Sequence, residues 1–244
     1  MQITAEEKLM YEVMKAIYDS GIPIDFKGSL VLKACLMEAG YNDEIRHTVD
    51  IDANWYSENP PTAQQMTDSL QKSLKGSNID LEVSLYRMYC EGRSAGFELS
   101  DRSTGEVFFT MDIDVNRPIA PTKIYEIAQI RFRGVSVDQM LADKISAVSG
   151  DKVFRRIKDV VDLYYLSKVF PFSRIDVMQR LESSGRTLGE FHGFLHSKSE
   201  LKHAYEKFRF AGDVSKPNFD DVYSAVKFYI KDILPKERHR DLER

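Results

Sequence analysis

The sequence predicts an α+β domain followed by a helical domain. Residues 1–133 combine helical spacing of apolar residues with several runs of strict alternation, whereas residues 134–244 show helical spacing alone. Hydrophobic residues form 43% of the 244-residue chain, which is enough to bury a proper core. We therefore predict an α+β domain over residues 1–133 and a helical domain over residues 134–244.

The chain begins with a predicted helix, strand and helix. Thr4 followed by Glu7 forms a capping box, and the apolar residues behind it predict a helix over residues 5–19. A short strand and a second helix follow, separated by the tight turn Gly28-Ser29. These two segments are IPIDFKG and LVLKACLMEAG.

The next part of the chain is predicted to be rich in strands. Residues 49–56 alternate between apolar and polar side chains, and Thr62 then opens a helix. Three strands follow directly, and the turn DRSTG between the last two favours antiparallel pairing. The segment IYEIAQIRF predicts one more strand or an extended edge. The three consecutive strands are IDLEVSLYRMY, AGFELSD and EVFFTMDIDVN.

After Gly134 the pattern is helical. Ser136 and Gln139 form another capping box at the start of a helix. Residues 153–169 predict one long amphipathic helix. Further helices are predicted at 174–184, 198–210 and 218–234.

Charge and cysteine content limit the classes of function that the chain can have. The net charge is −4, but residues 1–120 carry 11 Lys and Arg against 20 Asp and Glu, so the front half is acidic and the back half basic. This asymmetry fits metal-binding carboxylates in one half and a phosphate-bearing partner for the other, or a chance imbalance on solvated faces. Cys35 and Cys90 stand alone, which argues against a disulfide framework or zinc site. Neither a targeting leader nor a membrane-spanning stretch is evident, so we expect a cytoplasmic protein without a membrane partner.

Asp50 and Asp52 are the first candidate site. Alternate strand residues lie roughly 6.5–7 Å apart and project in one direction, so two carboxylates at this spacing can converge on a hard cation. The alternative is that both simply face water on an exposed sheet. Upstream, the Gly28-Ser29 turn at a helix start is a ready anion site, although an ordinary N-cap serine explains it as well.

A third carboxylate is available on a later strand. Asp112 and Asp114 share a face of the segment TMDID, and both fit the role. We include Asp114 with Asp50 and Asp52 as candidate metal ligands and leave the choice between Asp112 and Asp114 open. Arg46 shares the strand parity of Asp50, so it can orient a carboxylate or a phosphate, or serve only surface solubility.

The helical domain contributes a lysine and two acids. Lys144 is a candidate phosphate contact, although a surface lysine on a helix is common. Asp159 and Asp162 lie three residues apart, with Lys158 four residues before Asp162. An ordinary solvated ion-pair helix explains that spacing without any function.

The order of these motifs resembles a known family. A Gly-Ser turn, an Asp-x-Asp strand and a later acid resemble the nucleotidyltransferase superfamily that includes DNA polymerase β. The local sequence of these motifs resembles that of the AbiEii-type abortive-infection toxins of type IV toxin–antitoxin pairs, to which the MenT toxins are related. The resemblance spans roughly residues 5–168 and rests on FKGSLVLKACL, RHTVDID and LADKISAVSGDKVFRRIKDVVDLYYL.

The resemblance implies a fold and a set of roles. It implies a nucleotidyltransferase-type mixed β-sheet with flanking helices. It assigns the triphosphate to the turn, Mg²⁺ (or Mn²⁺) to the Asp-x-Asp pair, a phosphate contact to Lys144, and the acidic member of the last motif to Asp159 or Asp162. The turn residues are Lys27, Gly28 and Ser29, and the metal-binding pair is Asp50 and Asp52.

The resemblance also implies substrates and partners. The expected substrate is an NTP, the acceptor an RNA such as a tRNA 3′ end, and the partner a cognate antitoxin. Basic residues of the back half, including Arg155, Arg156 and Lys158, are compatible with an RNA acceptor. The alternatives are nucleotidylation of a protein hydroxyl and a catalytically silent nucleotide-binding regulatory module.

Elementary chemistry gives the same residues their roles. Transfer of an α-phosphoryl group to a hydroxyl is favoured by two cations about 3.5–4 Å apart, held by carboxylates on rigid strands. Asp50 and Asp52 meet that need, and Asp112 or Asp114 can ligate the second cation and accept the proton of the attacking hydroxyl. The Lys144 ammonium would offset the negative charge that develops on the pyrophosphate leaving group.

Overall fold

The computed structural model describes residues 2–89, 94–115, 118–210 and 214–235. Cys90 and the last residue of EVFFTMDIDVN therefore lie outside the described residues. The chain divides into two compact units between Met140 and Leu141, and residues 210–216 group with the first unit. The functional division predicted at residues 133 and 134 stays a prediction.

The first unit contains three helices and seven strands within the described residues. In chain order they are α1 (Ala5–Asp19), β1 (Ile24–Lys27), α2 (Gly28–Glu38), β2 (Asp50–Trp55), α3 (Ala63–Gly76), β3 (Leu81–Tyr89), β4 (Ser94–Asp101), β5 (Val107–Val115), β6 (Thr122–Ile127) and β7 (Ile130–Val135). The division between the units falls within α4 (Val137–Val148).

The strands form one mixed sheet in the order β3-β4-β5-β2-β1-β7-β6. The β2/β5 and β1/β7 pairs are parallel, and the other neighbouring pairs are antiparallel. This confirms the α+β fold with a mixed sheet and flanking helices. The antiparallel order of β3, β4 and β5 also follows the prediction.

One face of this sheet packs against helices, and the other is polar. Alternate residues of β2 and β5 are buried, and Met111 shares an apolar space with side chains of α1 and α3. On the opposite face, Asp50, Asp52, Asp112 and Asp114 are half-buried and Asn54 is buried. The apolar side chains around that shared space are Val13, Ile17, Leu70, Leu74, Val83, Leu99 and Met111.

The predicted capping box at the first helix is present. The Glu7 backbone N–H donates to the Thr4 hydroxyl, and the Thr4 backbone N–H donates to the Glu7 carboxylate, both at 3.1 Å. The Glu7 carboxylate also accepts from the Lys33 ammonium at 2.6 Å, and both side chains are buried. This contact fixes α1 against α2.

The segment IYEIAQIRF forms two strands, so the prediction of one strand or an extended edge was wrong. β6 and β7 are paired as a hairpin, with Ile127 opposite Ile130. The two connecting residues, Ala128 and Gln129, have φ values of 49° and 68°. Two consecutive positive φ values identify a type I′ turn, which usually contains Asn-Gly. The absence of that dipeptide concealed the hairpin.

The second unit is helical, with small departures from the predicted bounds. Residues 153–169 do not form one helix: a 3-10 turn at Val153–Arg156 precedes α5 (Ile157–Ser167). The predicted helix over 218–234 likewise ends early and is followed by a 3-10 turn at Lys231–Ile233. The other helices of this unit are α6 (Arg174–Ser183), α7 (His192–His196), α8 (Lys198–Lys207) and α9 (Phe219–Tyr229). Within the described residues, every helix is too short or too polar to span a lipid bilayer.

Candidate active site

The strands β1, β2 and β5 place three candidate side chains in one row. Lys27 lies opposite Asp52 in the β1/β2 ladder, and Asp52 lies beside Asp112 in the β2/β5 ladder. Paired residues of neighbouring strands project from the same face, with Cβ atoms about 5 Å apart in antiparallel pairs. Asp50 lies one step along the same face, beside Thr110. The structure therefore brings Asp50, Asp52 and Asp112 together.

Gly28 brings the start of α2 against Asp52. Gly28 has a φ of +76°, and a Cβ built on it would lie 2.2 Å from the Oδ2 atom of Asp52. Only glycine fits both the backbone conformation and this approach. The first turn of α2 therefore meets the Asp-x-Asp strand, so the predicted anion site and the predicted metal site are neighbours.

Lys27 contacts the next residues on the polar face of β2 and β5, beyond Asp52 and Asp112. It occupies the N-cap position of α2, but its ammonium donates to Asn54 at 2.8 Å and to Asp114 at 2.6 Å. Asp114 lies beside Asn54 and also accepts from the Ser94 hydroxyl. The structure thus separates the two candidates for the third carboxylate: Asp112 neighbours Asp52, and Asp114 binds Lys27.

Arg46 and Thr48 organise the approach to the Asp-x-Asp strand. Arg46 is buried and donates to the Ser29 hydroxyl at 2.6 Å, so it is not a surface-solubility residue. Thr48 donates to the Asp50 carboxylate. The segment before β2 therefore links the first turn of α2 to β2, which carries the candidate metal ligands Asp50 and Asp52.

The predicted Lys/Asp motif forms a buried cluster in the second unit. The Lys144 ammonium lies 2.6 Å from the Asp162 carboxylate and 3.6 Å from that of Asp159. The Asp162 side chain is fully buried and that of Lys144 is 8% exposed. Arg156 also contacts Asp159, at 2.9 Å. The solvated ion-pair helix and the plain surface lysine are therefore wrong interpretations of these residues.

The donor set can be compared with what Mg²⁺ requires. Within the described residues, no three His, Cys, Asp or Glu side chains converge as a ready metal cluster. Mg²⁺ in nucleotide-handling sites usually takes only one or two carboxylates and completes its shell with waters and substrate phosphates. The adjacent Asp52 and Asp112, with Asp50 on the same face, fit that arrangement.

Sequence reasoning missed several partners of this row. Asn54 lies two residues after Asp52 and therefore on the same face of the predicted strand, and this spacing was the signal that could have placed it near the site. Arg87 contacts both carboxylate oxygens of Asp112, at 2.9 and 3.2 Å. No sequence signal indicated Arg87, because its position depends on an irregularity in β3.

A buried acid lies next to the row. Asp25 is 4% exposed, lies opposite Asn54, and binds the Arg133 guanidinium. Burial raises the pKa of the Asp25 carboxyl above its ordinary value of 3.8, and Arg133 partly offsets this effect. The native state therefore favours protonated Asp25 more than the unfolded chain does.

This pKa shift predicts a pH dependence of stability. Because the folded pKa is raised, the contribution of Asp25 is fully present below pH 3.8 and is lost as the pH rises through the folded pKa. We expect the free energy of unfolding of the wild type, relative to Asp25→Asn, to fall as the pH rises above 3.8. Denaturant unfolding of both proteins across the acidic range measures this, and a constant difference would contradict it.

The fold and the site together define the class of protein. A mixed sheet with a Gly-Ser helix start against an Asp-x-Asp strand, and a later acid beside it, is the arrangement of a nucleotidyltransferase. The chain belongs to the AbiEii family of nucleotidyltransferase toxins of type IV toxin–antitoxin systems, whose model matches residues 22–225. The match continues past residue 168, where the motif resemblance ended. Family membership implies an NTP substrate and a cognate antitoxin.

One of the solved structures similar to this chain shares its fold. MenT4, a nucleotidyltransferase toxin from Mycobacterium tuberculosis H37Rv, superposes with a TM-score of 0.59 at 15% identity, covering 97% of this chain and 91% of that one. An antigenic nucleotidyltransferase-like protein from Paracoccidioides brasiliensis has a TM-score of 0.44 at 16% identity, covering 75% of this chain and 93% of that one. Comparison with curated proteins finds no match. At these identities the first likeness shows a common fold.

Proposed function

We propose that the protein transfers a nucleotide from a Mg²⁺-bound NTP to the 3′ hydroxyl of an RNA such as tRNA. The observation that carries this proposal is the row of Lys27, Asp52 and Asp112 against the start of α2. It combines an anion-binding helix terminus with carboxylates on rigid strands. Nucleotidyl transfer needs both within reach of one triphosphate.

The start of α2 is the proposed triphosphate site. The N-terminal N–H groups of a helix point outward and carry partial positive charge. Gly28 lets the Asp52 carboxylate lie against this terminus, and the buried Arg46 fixes the Ser29 hydroxyl there. The Lys27 ammonium adds a positive charge at the end of β1, although it is bound to Asp114 in this structure.

The carboxylates of β2 and β5 are the proposed metal and proton-transfer groups. Asp50 and Asp52, with Asp112 beside Asp52, would hold Mg²⁺. When bound, the cation would neutralise charge on the triphosphate and on the attacking and leaving oxygens. The Asp112 carboxylate, which is 34% exposed, would accept the proton of the acceptor hydroxyl.

The register predicts which strand acid is the third carboxylate. We expect Asp112→Asn to reduce kcat by about 100-fold or more, because Asp112 neighbours Asp52 and a general base contributes on the order of 10²–10⁴-fold. Asp114→Asn should have a smaller effect, through the orientation of Lys27. Steady-state transfer rates of the two variants decide this, and a larger loss for Asp114→Asn would reverse the assignment.

An exposed basic and aromatic surface supports an RNA acceptor. Lys152, Phe154 and Arg155 are exposed around the 3-10 turn at Val153–Arg156. The Arg155 guanidinium carbon lies 5.7 Å from the Phe154 ring centroid. Lysine, arginine and exposed aromatic rings bind RNA through phosphate contacts and base stacking.

This surface gives a test of the acceptor. We expect the double variant Lys152→Glu and Arg155→Glu to raise KM for the RNA by about tenfold and to lower its salt dependence, because phosphate contacts are lost. KM for the NTP should stay unchanged. The double variant Lys207→Glu and Lys227→Glu, at exposed positions on α8 and α9, is the charge-matched control. Equal RNA KM values for both variants would exclude this surface from RNA binding.

One experiment identifies both the acceptor and the nucleotide that is transferred to it. The protein is incubated with Mg²⁺ and each α-labelled NTP in turn, with total tRNA and with cell protein as separate acceptors. We expect one NTP to label tRNA, and the label to be sensitive to ribonuclease and resistant to protease. Label that enters protein instead would replace the RNA acceptor by a protein hydroxyl, and no label in either would contradict the proposal.

A further inference from the structure

An irregularity in β3 turns two neighbouring side chains toward the polar face of the sheet. Leu85 pairs with Phe97, but Arg87 pairs with Gly96, so Tyr86 is an extra residue in β3. A β-bulge of this kind sets two residues opposite one and interrupts the alternation of side chains. Tyr86 and Arg87 therefore both lie toward Gly96, on the face that carries Asp112.

Gly96 is the point at which these side chains converge. A Cβ built on Gly96 would lie 2.7 Å from the Cε1 atom of Tyr86, 2.8 Å from Cγ of Arg87 and 2.9 Å from Oδ1 of Asp112. Gly96 is paired with Asp112 in the β4/β5 ladder. Because glycine has no side chain, the tyrosine ring and the arginine stem settle directly on the strand beside Asp112.

Arg87 links the ring to the acidic row. Its guanidinium carbon lies 4.6 Å from the centroid of the Tyr86 ring, and its NH2 group donates to both oxygens of Asp112. Asp112 in turn lies beside Asp52. Tyr86 remains 36% exposed and the Arg87 side chain 45% exposed. The accessible ring and guanidinium plane thus lie on β3, which β4 and β5 separate from the Asp-x-Asp strand, and Arg87 reaches across β4 to Asp112 on β5.

We propose that Tyr86, held in place by Arg87, is the surface on which the base of a nucleotide substrate stacks. This inference rests on the proposed function, and it adds a base subsite to a site so far defined by phosphate and metal contacts. Aromatic rings and arginine planes are the side chains on which unpaired bases stack. The base belongs either to the NTP or to the terminal nucleotide of the RNA acceptor, and kinetics separate the two.

Tyr86 also has a purely structural role available to it. An aromatic ring laid over a glycine on a neighbouring strand stabilises a sheet edge without any ligand. That role predicts a change in thermal stability with no selective change in KM. The stacking role predicts a change in KM for a nucleotide and recovery by another aromatic residue.

The test compares Tyr86→Ala, Tyr86→Phe and Leu85→Ala in the full chain. Leu85 is the matched control because it is an exposed residue of the same strand that pairs with Phe97. We expect Tyr86→Ala to raise KM for one nucleotide substrate by about tenfold, the loss typical of one stacked base. Tyr86→Phe and Leu85→Ala should stay within about twofold of the wild type. A raised NTP KM identifies the donor base, and a raised RNA KM the acceptor base.

A binding measurement separates this proposal from the proposed function. Equilibrium binding of the four Mg²⁺-NTPs and of a single-stranded RNA oligonucleotide is measured for the wild type and Tyr86→Ala, without turnover. Weaker binding of one of these probes by the variant supports stacking even if no transfer is detected. Equal KM and equal binding for both proteins, or no binding by the wild type, would overturn the stacking proposal. If the wild type transfers nucleotides and Tyr86→Ala has the same KM and binding, the stacking proposal fails while the proposed function stands.

Discussion

Replacing Asp52 with asparagine is expected to lower nucleotide transfer by on the order of 10³-fold, because loss of the metal-binding charge proposed for Asp52 would cost several kcal/mol of transition-state stabilisation. Asp52 is the one carboxylate of the described row that pairs with Lys27 on one side and Asp112 on the other. Asparagine keeps the size of the side chain and removes only the charge. Transfer rates at saturating NTP and Mg²⁺, with melting temperatures as a check on folding, measure the effect.

The control for this prediction is Asp80→Asn. Asp80 is 85% exposed and its carboxylate binds Arg102 at the protein surface, so the same change of charge should leave transfer within about twofold of the wild type. A fully active Asp52→Asn protein would remove the Asp-x-Asp strand from the mechanism. Equal losses in both variants would point to a general effect of net charge instead.

Replacing Gly28 with alanine is expected to lower transfer by about 100-fold or more and to destabilise the fold. The alanine Cβ would overlap the Asp52 carboxylate, at 2.2 Å from Oδ2, so either the start of α2 or Asp52 must move. The positive φ adds about 1–2 kcal/mol of strain for a residue with a Cβ. A displacement of about 1 Å in a catalytic group can cost 10²-fold in rate.

Gly105→Ala separates strain from overlap. Gly105 has a φ of +73°, close to the +76° of Gly28, but nothing lies within 4 Å of its added Cβ. Both variants should lose a similar amount of stability to the backbone strain, and only Gly28→Ala should lose transfer. If Gly105→Ala lost as much activity, or Gly28→Ala lost none, close approach of α2 to Asp52 would not matter for the reaction.

Much of the fold follows from local signals in the sequence. The capping box at Thr4 predicts the start of α1, and the alternation over residues 49–56 predicts a strand with one polar face. These features depend on residues close together in the chain, so the sequence contains them directly. The β6/β7 hairpin was missed because its turn is formed by Ala128 and Gln129, which adopt positive φ without the usual Asn or Gly.

The partners of the site residues depend on register, which the sequence does not encode locally. Asp112 and Asp114 have the same parity on β5, and only the parallel pairing with β2 puts Asp112 beside Asp52 and Asp114 beside Asn54. The position of Arg87 depends on one extra residue in β3. A shift of two residues in the β2/β5 ladder would put Asp114 beside Asp52 without changing the face on which either acid lies.

Burial was the other property that the sequence concealed. Helical spacing alone makes Asp159 and Asp162 look like a solvated ion-pair face, yet Asp162 is fully buried against Lys144. A buried charge is tolerated only when it is paired, so the lysine and the acid depend on each other. The roles that the resemblance assigns to Lys144, Asp159 and Asp162 in catalysis stay predictions.

The most direct test of the site compares NTP labelled at the α-phosphate with NTP labelled at the γ-phosphate, using the wild type and Asp52→Asn. If Asp50, Asp52 and Asp112 support nucleotidyl transfer, the α label will enter the acceptor and the γ label will leave as pyrophosphate. Both signals should fall together in Asp52→Asn. Transfer of the γ label to the acceptor, or transfer of the α label at an unchanged rate by Asp52→Asn, would contradict this account.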